Sequence, residues 1–437
     1  MHFKSIRTHI AALPVAVLLL CVGLTAYGRD ARSDIRERAE RAGGVYYAYP
    51  TDEISPDYGK NIPEGYEPFY VSHYGRHGSR YLISDGDYTR LMERLADAAE
   101  AGALTARGEQ LRLQLDTIWQ EARGRGGELT PLGRRQQRGI ARRLGMAYPQ
   151  IFAGDAAVTA ASTPVMRCAH SMFAFLEGIK ELYPGLDIPR ESSERNMVYL
   201  NYHSPESGPY ASERGPWYQD YRRFKARNIN PDRLIGTIFA DNNYVDRWVD
   251  REGFYTDLYW LAVDLQNMET DINLLGLFTN DELYDIWQVY NFKFFARNSS
   301  YAPAHGLHTA NARNLVRHII DNADATIATG GHGATLRFGH DGNIIPLTAL
   351  LRLEGCYSDT ERPERLADDY ADYSVSPMAS NLQMVFFRNP ALPDAGDVLV
   401  RVYLNERDVA LPVPSHEKYY RWADLRPYLI SLAYPER

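Results

Sequence analysis

The stretch Phe69-Tyr70-Val71-Ser72-His73-Tyr74-Gly75-Arg76-His77-Gly78-Ser79-Arg80 begins as an apolar, aromatic run and ends as a basic loop. The run has the length and β-propensity of a buried strand, and the glycines after it mark a tight turn. Arg76, His77 and Arg80 fall within five residues at that strand end. Two guanidiniums beside one imidazole suit a phosphate: arginine offers planar donors matched to phosphate oxygens, and its charge lowers the imidazole pKa, keeping His77 neutral and nucleophilic. A surface turn carrying scattered charges has the same composition.

Moving outward, Leu91, Leu95 and Ala98 or Ala99 recur at helical spacing, with Asp85 or Asp87 as a cap and Gly102 near the stop. Thr130 and Pro131 read as the cap and first position of a second helix along Leu132, Gln136, Ile140 and Leu144. Residues 156–162 form a short small-residue strand, and 166–180 a third helix. From 190 to 308 the texture changes: four of the six Trp and 11 of the 31 Tyr lie here, and the apolar runs are helical in spacing. Alternation then resumes, with a helix over 311–320, strands over 325–329 and 334–338, a helix after Asn343, and β segments over 381–388 and 398–411. This pattern predicts an α/β core, discontinuous over 45–189 and 309–437, with a mainly helical insertion over 190–308.

A second basic and acidic cluster closes the strand at Phe338: Gly339-His340-Asp341-Gly342-Asn343. Open α/β sheets place ligands at such strand ends. Asp341 acting only as a helix cap, with His340 in the core, explains the same residues. Ser162-Thr163-Pro164-Val165-Met166-Arg167 is another strand-to-helix junction and turns Arg167 toward the same edge.

The chain has 437 residues with 48 Lys plus Arg against 56 Asp plus Glu, a net charge of -8 and 45% hydrophobic residues, enough for a large core. That balance gives no drive toward nucleic acid or anionic lipid, so a bound anion must be held by a few placed residues. Lys4 and Arg7 before the apolar run Ile10 to Leu24, then Ala26 and Gly28, predict a cleavable signal peptide over 1–28 and a periplasmic or secreted protein without stable membrane insertion. A lipid anchor on Cys21 fits less well, because Leu20 precedes it. Cys168 and Cys356 remain after cleavage and read as two buried thiols, one bridge being the alternative. His305 and His308 lack partners at metal-ligand spacing and read as loop or surface residues. Gly330 to Gly333 lack the Lys and Ser or Thr of a phosphate loop and read as a connecting turn. Oligomeric state is not encoded in any of these features.

Together the motifs resemble the histidine phosphatase superfamily, in its branch of histidine acid phosphatases and phytases. Arg76-His77-Gly78-Ser79-Arg80 matches the RHGxR signature, Gly339-His340-Asp341 the HD signature, and Leu129-Thr130-Pro131-Leu132-Gly133, with Gln137 nearby, the LTxxG element. Arg167 followed by Ser171, Phe175, Glu177 and Gly178 is similar to the third arginine segment, and the C-terminal segments after Ser380 and Val400 look like family ends. The resemblance implies a phosphoglycerate mutase-like three-layer αβα core. It also implies a small phosphate monoester as substrate, and neither metal nor cofactor. By the same resemblance His77 is the nucleophile, Arg76, Arg80, Arg167 and His340 bind the phosphoryl group, and Asp341 donates the proton. A non-catalytic phosphate-ester binder on this fold is the alternative, but a binder has no use for a nucleophile and an acid together. Tyr81-Leu82-Ile83-Ser84 replaces the Pro and Thr common after RHGxR. The segment over 127–137 resembles multiple inositol polyphosphate phosphatases, which usually carry HAE where His340-Asp341-Gly342 stands here. Arg90, Arg123, Arg125 and Arg134 are candidates for the further phosphates of a polyanionic substrate.

Overall fold

The structure is a computed structural model that describes residues 30–202, 204–392 and 398–435. The expected signal peptide, with Cys21, lies outside the described residues. Eight strands form one sheet: β1 (Glu67–Arg76), β2 (Ala157–Ser162), β3 (Arg190–Ser192), β4 (Gly333–Gly339), β5 (Asn381–Arg388), β6 (Leu399–Leu404), β7 (Arg407–Asp408) and β8 (Tyr419–Arg421). Their order is β3-β2-β4-β1-β5-β6-β7, with β8 also on β6. The β3-β2-β4-β1 half is parallel and the rest antiparallel.

β1 sits in the middle and is covered on both faces, which is why its aromatic and apolar residues are not interrupted by an exposed position after Glu67. Its side chains alternate between two layers. Tyr70 and Tyr74 join Leu315, Val316, Ile319, Leu425 and Leu429 of the helices Arg313–Thr329 and Trp422–Ala433. Val71 joins Ile140, Leu144, Phe175 and Ile179 of the helices Pro131–Ala147 and Met166–Leu182. Helix, sheet and helix therefore form three layers.

The structure departs from the sequence reading in several places. Residues 325–329 are not a strand but the last turns of Arg313–Thr329, whose apolar stripe Leu315, Val316, Ile319, Ile320, Ala323 keeps helical period; Gly330, at φ +65°, then stops it. A helix the sequence reading passed over, Ala106–Ala122, is capped by Thr105. It shares one apolar core with Gly86–Glu100 and with Leu234, Ile235, Leu258 and Trp287. Residues 30–44, ahead of the expected core, are folded too, with Ile35 and Ala42 fully buried in the same apolar core. His308 is buried rather than on the surface. Cys168 and Cys356 are both buried, and no disulfide joins them to each other.

Candidate active site

The parallel register brings three chain segments to one edge. Arg76 pairs with Gly339 and Ser162 with Phe338, so β1, β4 and β2 end level with one another. The His77 N–H donates to Gly339 O at 3.0 Å and the Thr163 N–H to Phe338 O at 3.1 Å. From these ends emerge Arg76 and His77, His340 and Asp341, and the helix that carries Arg167.

Arg76 is fully buried and anchored: its guanidinium donates to Val45 O at 2.5 Å, to Ser376 O at 2.7 Å and to Asp341 Oδ2 at 3.1 Å. The His77 Nδ1–H donates to Gly78 O at 3.0 Å. A carbonyl only accepts, so this bond fixes the tautomer and leaves a lone pair on Nε2. Burial, then the charges of Arg76, Arg167 and Arg80, hold His77 well below the usual imidazole range. Its ring stands edge-on to that of His340, with centroids 5.8 Å apart. Burial and Arg167 push His340 down to about 4. Both imidazoles are thus neutral.

The LTxxG element holds this loop from below. Thr130 Oγ1 caps its helix by accepting from the Gly133 N–H and donates to Ser79 O at 3.1 Å. Gln136 Oε1 accepts from the Ser79 N–H at 2.9 Å, and Gln137 Nε2 donates to Arg76 O at 2.8 Å. Ser171 Oγ accepts from the Gly78 N–H at 3.0 Å, tying in the Arg167 helix. Arg80 donates to Tyr81 O at 2.8 Å and stacks 4.6 Å above the Tyr46 ring, while its Nε and that of Arg167 have no hydrogen-bond partner.

Asp341 begins the helix Asp341–Leu350, and its Oδ1 accepts from the Gly342 N–H at 2.8 Å. Burial is the strongest influence on its carboxyl and pushes the pKa up. Arg76, His340 and the Gly342 N–H outweigh it and hold the group below the usual carboxylate range. Without a ligand Asp341 is therefore an anion paired with Arg76. Three guanidiniums, two neutral imidazoles and one carboxylate converge: a pocket able to bind a tetrahedral dianion, present a nitrogen lone pair and move one proton.

All six residues expected at the site share this edge. Of the four outer arginines, Arg90 bonds to Asp87 and Asp257, and Arg125 stacks on Tyr81 near Glu128. Local contacts therefore occupy both. Sequence reasoning missed Arg297 and Lys293 of the helix Asn280–Asn298, which form no ion pair among the described residues; Arg297 lies within electrostatic reach of Asp341. Their i, i+4 spacing was the available signal. Among the described residues no group of three or more His, Cys, Asp or Glu is placed to hold a metal.

A model of the histidine phosphatase superfamily (branch 2) matches residues 75–405, and the chain belongs to that family. It is an enzyme of the histidine acid phosphatase kind, a phosphoric monoester hydrolase of acid phosphatase or phytase type. Among solved structures it is similar to the multiple inositol polyphosphate phosphatase of Bifidobacterium longum in complex with inositol hexasulfate. The identity is 20% and the TM-score 0.69, over 89% of this chain and 97% of that one. The phytase from D. castellii is similar at 14% identity and a TM-score of 0.62, over 91% and 85%. The Hafnia alvei phytase in complex with myo-inositol hexakis sulphate follows at 12% and 0.53, over 86% and 99%. At these identities the likeness is one of fold. No curated protein sequence matches the chain.

Proposed function

We propose that this phosphatase is exported and hydrolyses inositol polyphosphates through a phosphohistidine on His77. The observation that carries the reaction is the fixed neutral tautomer of His77 among three guanidiniums. Nε2 attacks phosphorus in line, the P–O ester bond breaks, and Asp341 delivers a proton to the departing oxygen. Because Asp341 is ionised in the empty site, a monoanionic ester that displaces it from Arg76 brings the proton that it needs. Water then attacks the phosphohistidine, Asp341 takes the proton, and the P–N bond breaks to release phosphate. Arg76, Arg80, Arg167 and His340 carry the charge of the equatorial oxygens throughout.

The polyanionic substrate class is supported by Arg297, within electrostatic reach of Asp341, and by Lys293, within reach of Arg297, with Glu213 the acidic group facing both. Lys293 lies 5.4 Å from the Tyr221 centroid and 5.6 Å from that of Tyr290, and burial lowers its pKa. A buried amine beside another cation is stabilised by an incoming anion. Export rests on Lys4, Arg7 and the apolar run after them.

The test is phosphate release from phytate, glucose phosphate and 4-nitrophenyl phosphate, with His77→Ala as the blank. Phytate should give the highest kcat/KM, and Lys293→Gln with Arg297→Gln should raise KM for phytate alone. Equal kcat/KM on all three substrates overturns the polyphosphate reading; release by His77→Ala overturns the phosphohistidine.

A further inference from the structure

Behind the phosphate pocket lies a carboxylate that the reaction does not use. Asp264 ends the helix Arg251–Asp264 of the insertion and is fully buried. Its Oδ1 accepts from Asn267 Nδ2 at 3.1 Å; its Oδ2 has no hydrogen-bond partner. Asn267 extends the link, because its Oδ1 accepts from Ser79 Oγ at 2.6 Å and its Nδ2 also donates to Tyr46 O at 2.9 Å. Ser79 precedes Arg80, and Tyr46 is the ring on which Arg80 stacks. Arg80 and Asp264 interact electrostatically, each shifting the other's proton affinity. Arg80 Nε and Asp264 Oδ2 are therefore a buried donor and a buried acceptor, each unmatched, on groups of opposite charge held by one network. An unmatched buried polar atom is costly, and an entering anion can satisfy the Arg80 donor while a proton relieves the carboxylate.

We propose that Asp264 is a positioning residue for Arg80, and that it takes up a proton when a phosphate-like anion enters the pocket. In the empty site the carboxylate balances Arg80. A bound dianion takes over that balance and leaves Asp264 a buried negative charge near another negative charge, which protonation removes. Of the remaining groups around Asp264, Asp87 from the helix Gly86–Glu100 repels it and favours the proton, Tyr88 of the same helix stays neutral, and the Asn267 amide and the Leu82 N–H oppose the proton. Consistent with that geometry, burial, opposed by Arg80, already raises Asp264 to about 7 without a ligand. The inference rests on Arg80 as a phosphate ligand and is independent of the inositol reading.

Inorganic sulfate tests it, because its charge is constant across neutral pH. In the empty site between pH 6 and 8.5 His77 and His340 are neutral and Asp341 is ionised. Any proton these three take up beside the anion persists in Asp264→Asn, so the difference between wild type and that variant isolates Asp264. Calorimetry of the wild-type protein in buffers of differing ionisation enthalpy should show proton uptake on sulfate binding near pH 7. Affinity should fall as pH rises, by up to about tenfold per pH unit. Asp264→Asn, the isostere of the protonated acid, should bind sulfate as tightly as wild type at pH 6, severalfold more tightly at pH 8.5, and with clearly less uptake. Asp372 is the control: it is also buried, is raised to about 6, and interacts with Arg76, but its Oδ1 accepts from the Trp287 indole at 3.0 Å. Asp372→Asn should retain the uptake. No uptake by the wild-type protein, uptake unchanged in Asp264→Asn, or uptake lost in Asp372→Asn instead would each overturn the proposal.

Discussion

Gly78 and Gly133 meet backbone to backbone beneath the phosphate pocket. A Cβ on Gly78 would lie 2.5 Å from Gly133 O, and one on Gly133 would lie 2.2 Å from Ser79 O. Neither backbone has a flexible end that can yield, so the RHGxR loop and the LTxxG helix fit only without side chains at this contact. Gly133→Ala is expected to destabilise the fold by about 1–3 kcal/mol. It should also lower kcat/KM by roughly a hundredfold, the scale for displacing reacting groups by an ångström. Denaturant titration and steady-state kinetics on one preparation check both; unchanged activity would remove this contact from any role in placing His77.

Asp341→Asn separates good leaving groups from poor ones. On an alkyl phosphate the loss of the proton donor should cut turnover by roughly 10²-fold to 10⁴-fold. On an activated aryl phosphate the first step needs little help, so the variant should release about one equivalent rapidly and stall, with an acid-labile phosphate on the peptide holding residues 76–80. Equal losses on both substrates, without a burst, would count against Asp341 as the acid.

The pH profile follows from the ionised state of Asp341 in the empty site. Since the proton arrives with the monoanionic ester, kcat/KM on an alkyl phosphate should fall once pH passes the second phosphate pKa of about 6. Rates measured from pH 4 to 9 decide this, and a flat profile would refute it.

Stability should carry the mark of Asp264 as well. Its pKa is raised in the fold relative to about 3.9 in the unfolded chain, so between those values the native state holds the extra proton. Stability is then greatest below the unfolded pKa and declines as pH rises toward 7, by a few kcal/mol. Asp264→Asn should lack this decline, making it the more stable protein at pH 8. Melting temperatures of the two proteins at pH 4.5 and 8 supply the comparison, and parallel shifts would contradict it.

Much of this site is legible in the sequence because the pocket residues sit in short contiguous motifs. The histidine motifs at His77 and His340 each follow a strand buried along almost its whole length, β1 and β4. What stays hidden is set by tertiary contact. Residues 325–329 have a strand-like composition but continue a helix whose stripe is fixed by packing on the sheet. Asp264 reads as an ordinary polar position, although it is the lone charge in the run Leu261 to Leu265, a pattern that signals a buried acid. The residues over 30–44 are mostly polar, and the apolar ones that bury, Ala31, Ile35 and Ala42, are too sparse to read as a stripe.

The position of β1 also sets the timetable of biosynthesis. Both strands that flank it, β4 and β5, are encoded more than 250 residues downstream, and β5 ends at Arg388. A ribosome that has just finished the nucleophile motif has made a strand with two bare edges and nothing to pair with. Contacts of such sequence separation are slow to close, and unpaired edges invite aggregation meanwhile. Chains cut anywhere before residue 381 lack the antiparallel neighbour of β1, so the strand that carries Arg76 into the site keeps an open edge until β5 has been made.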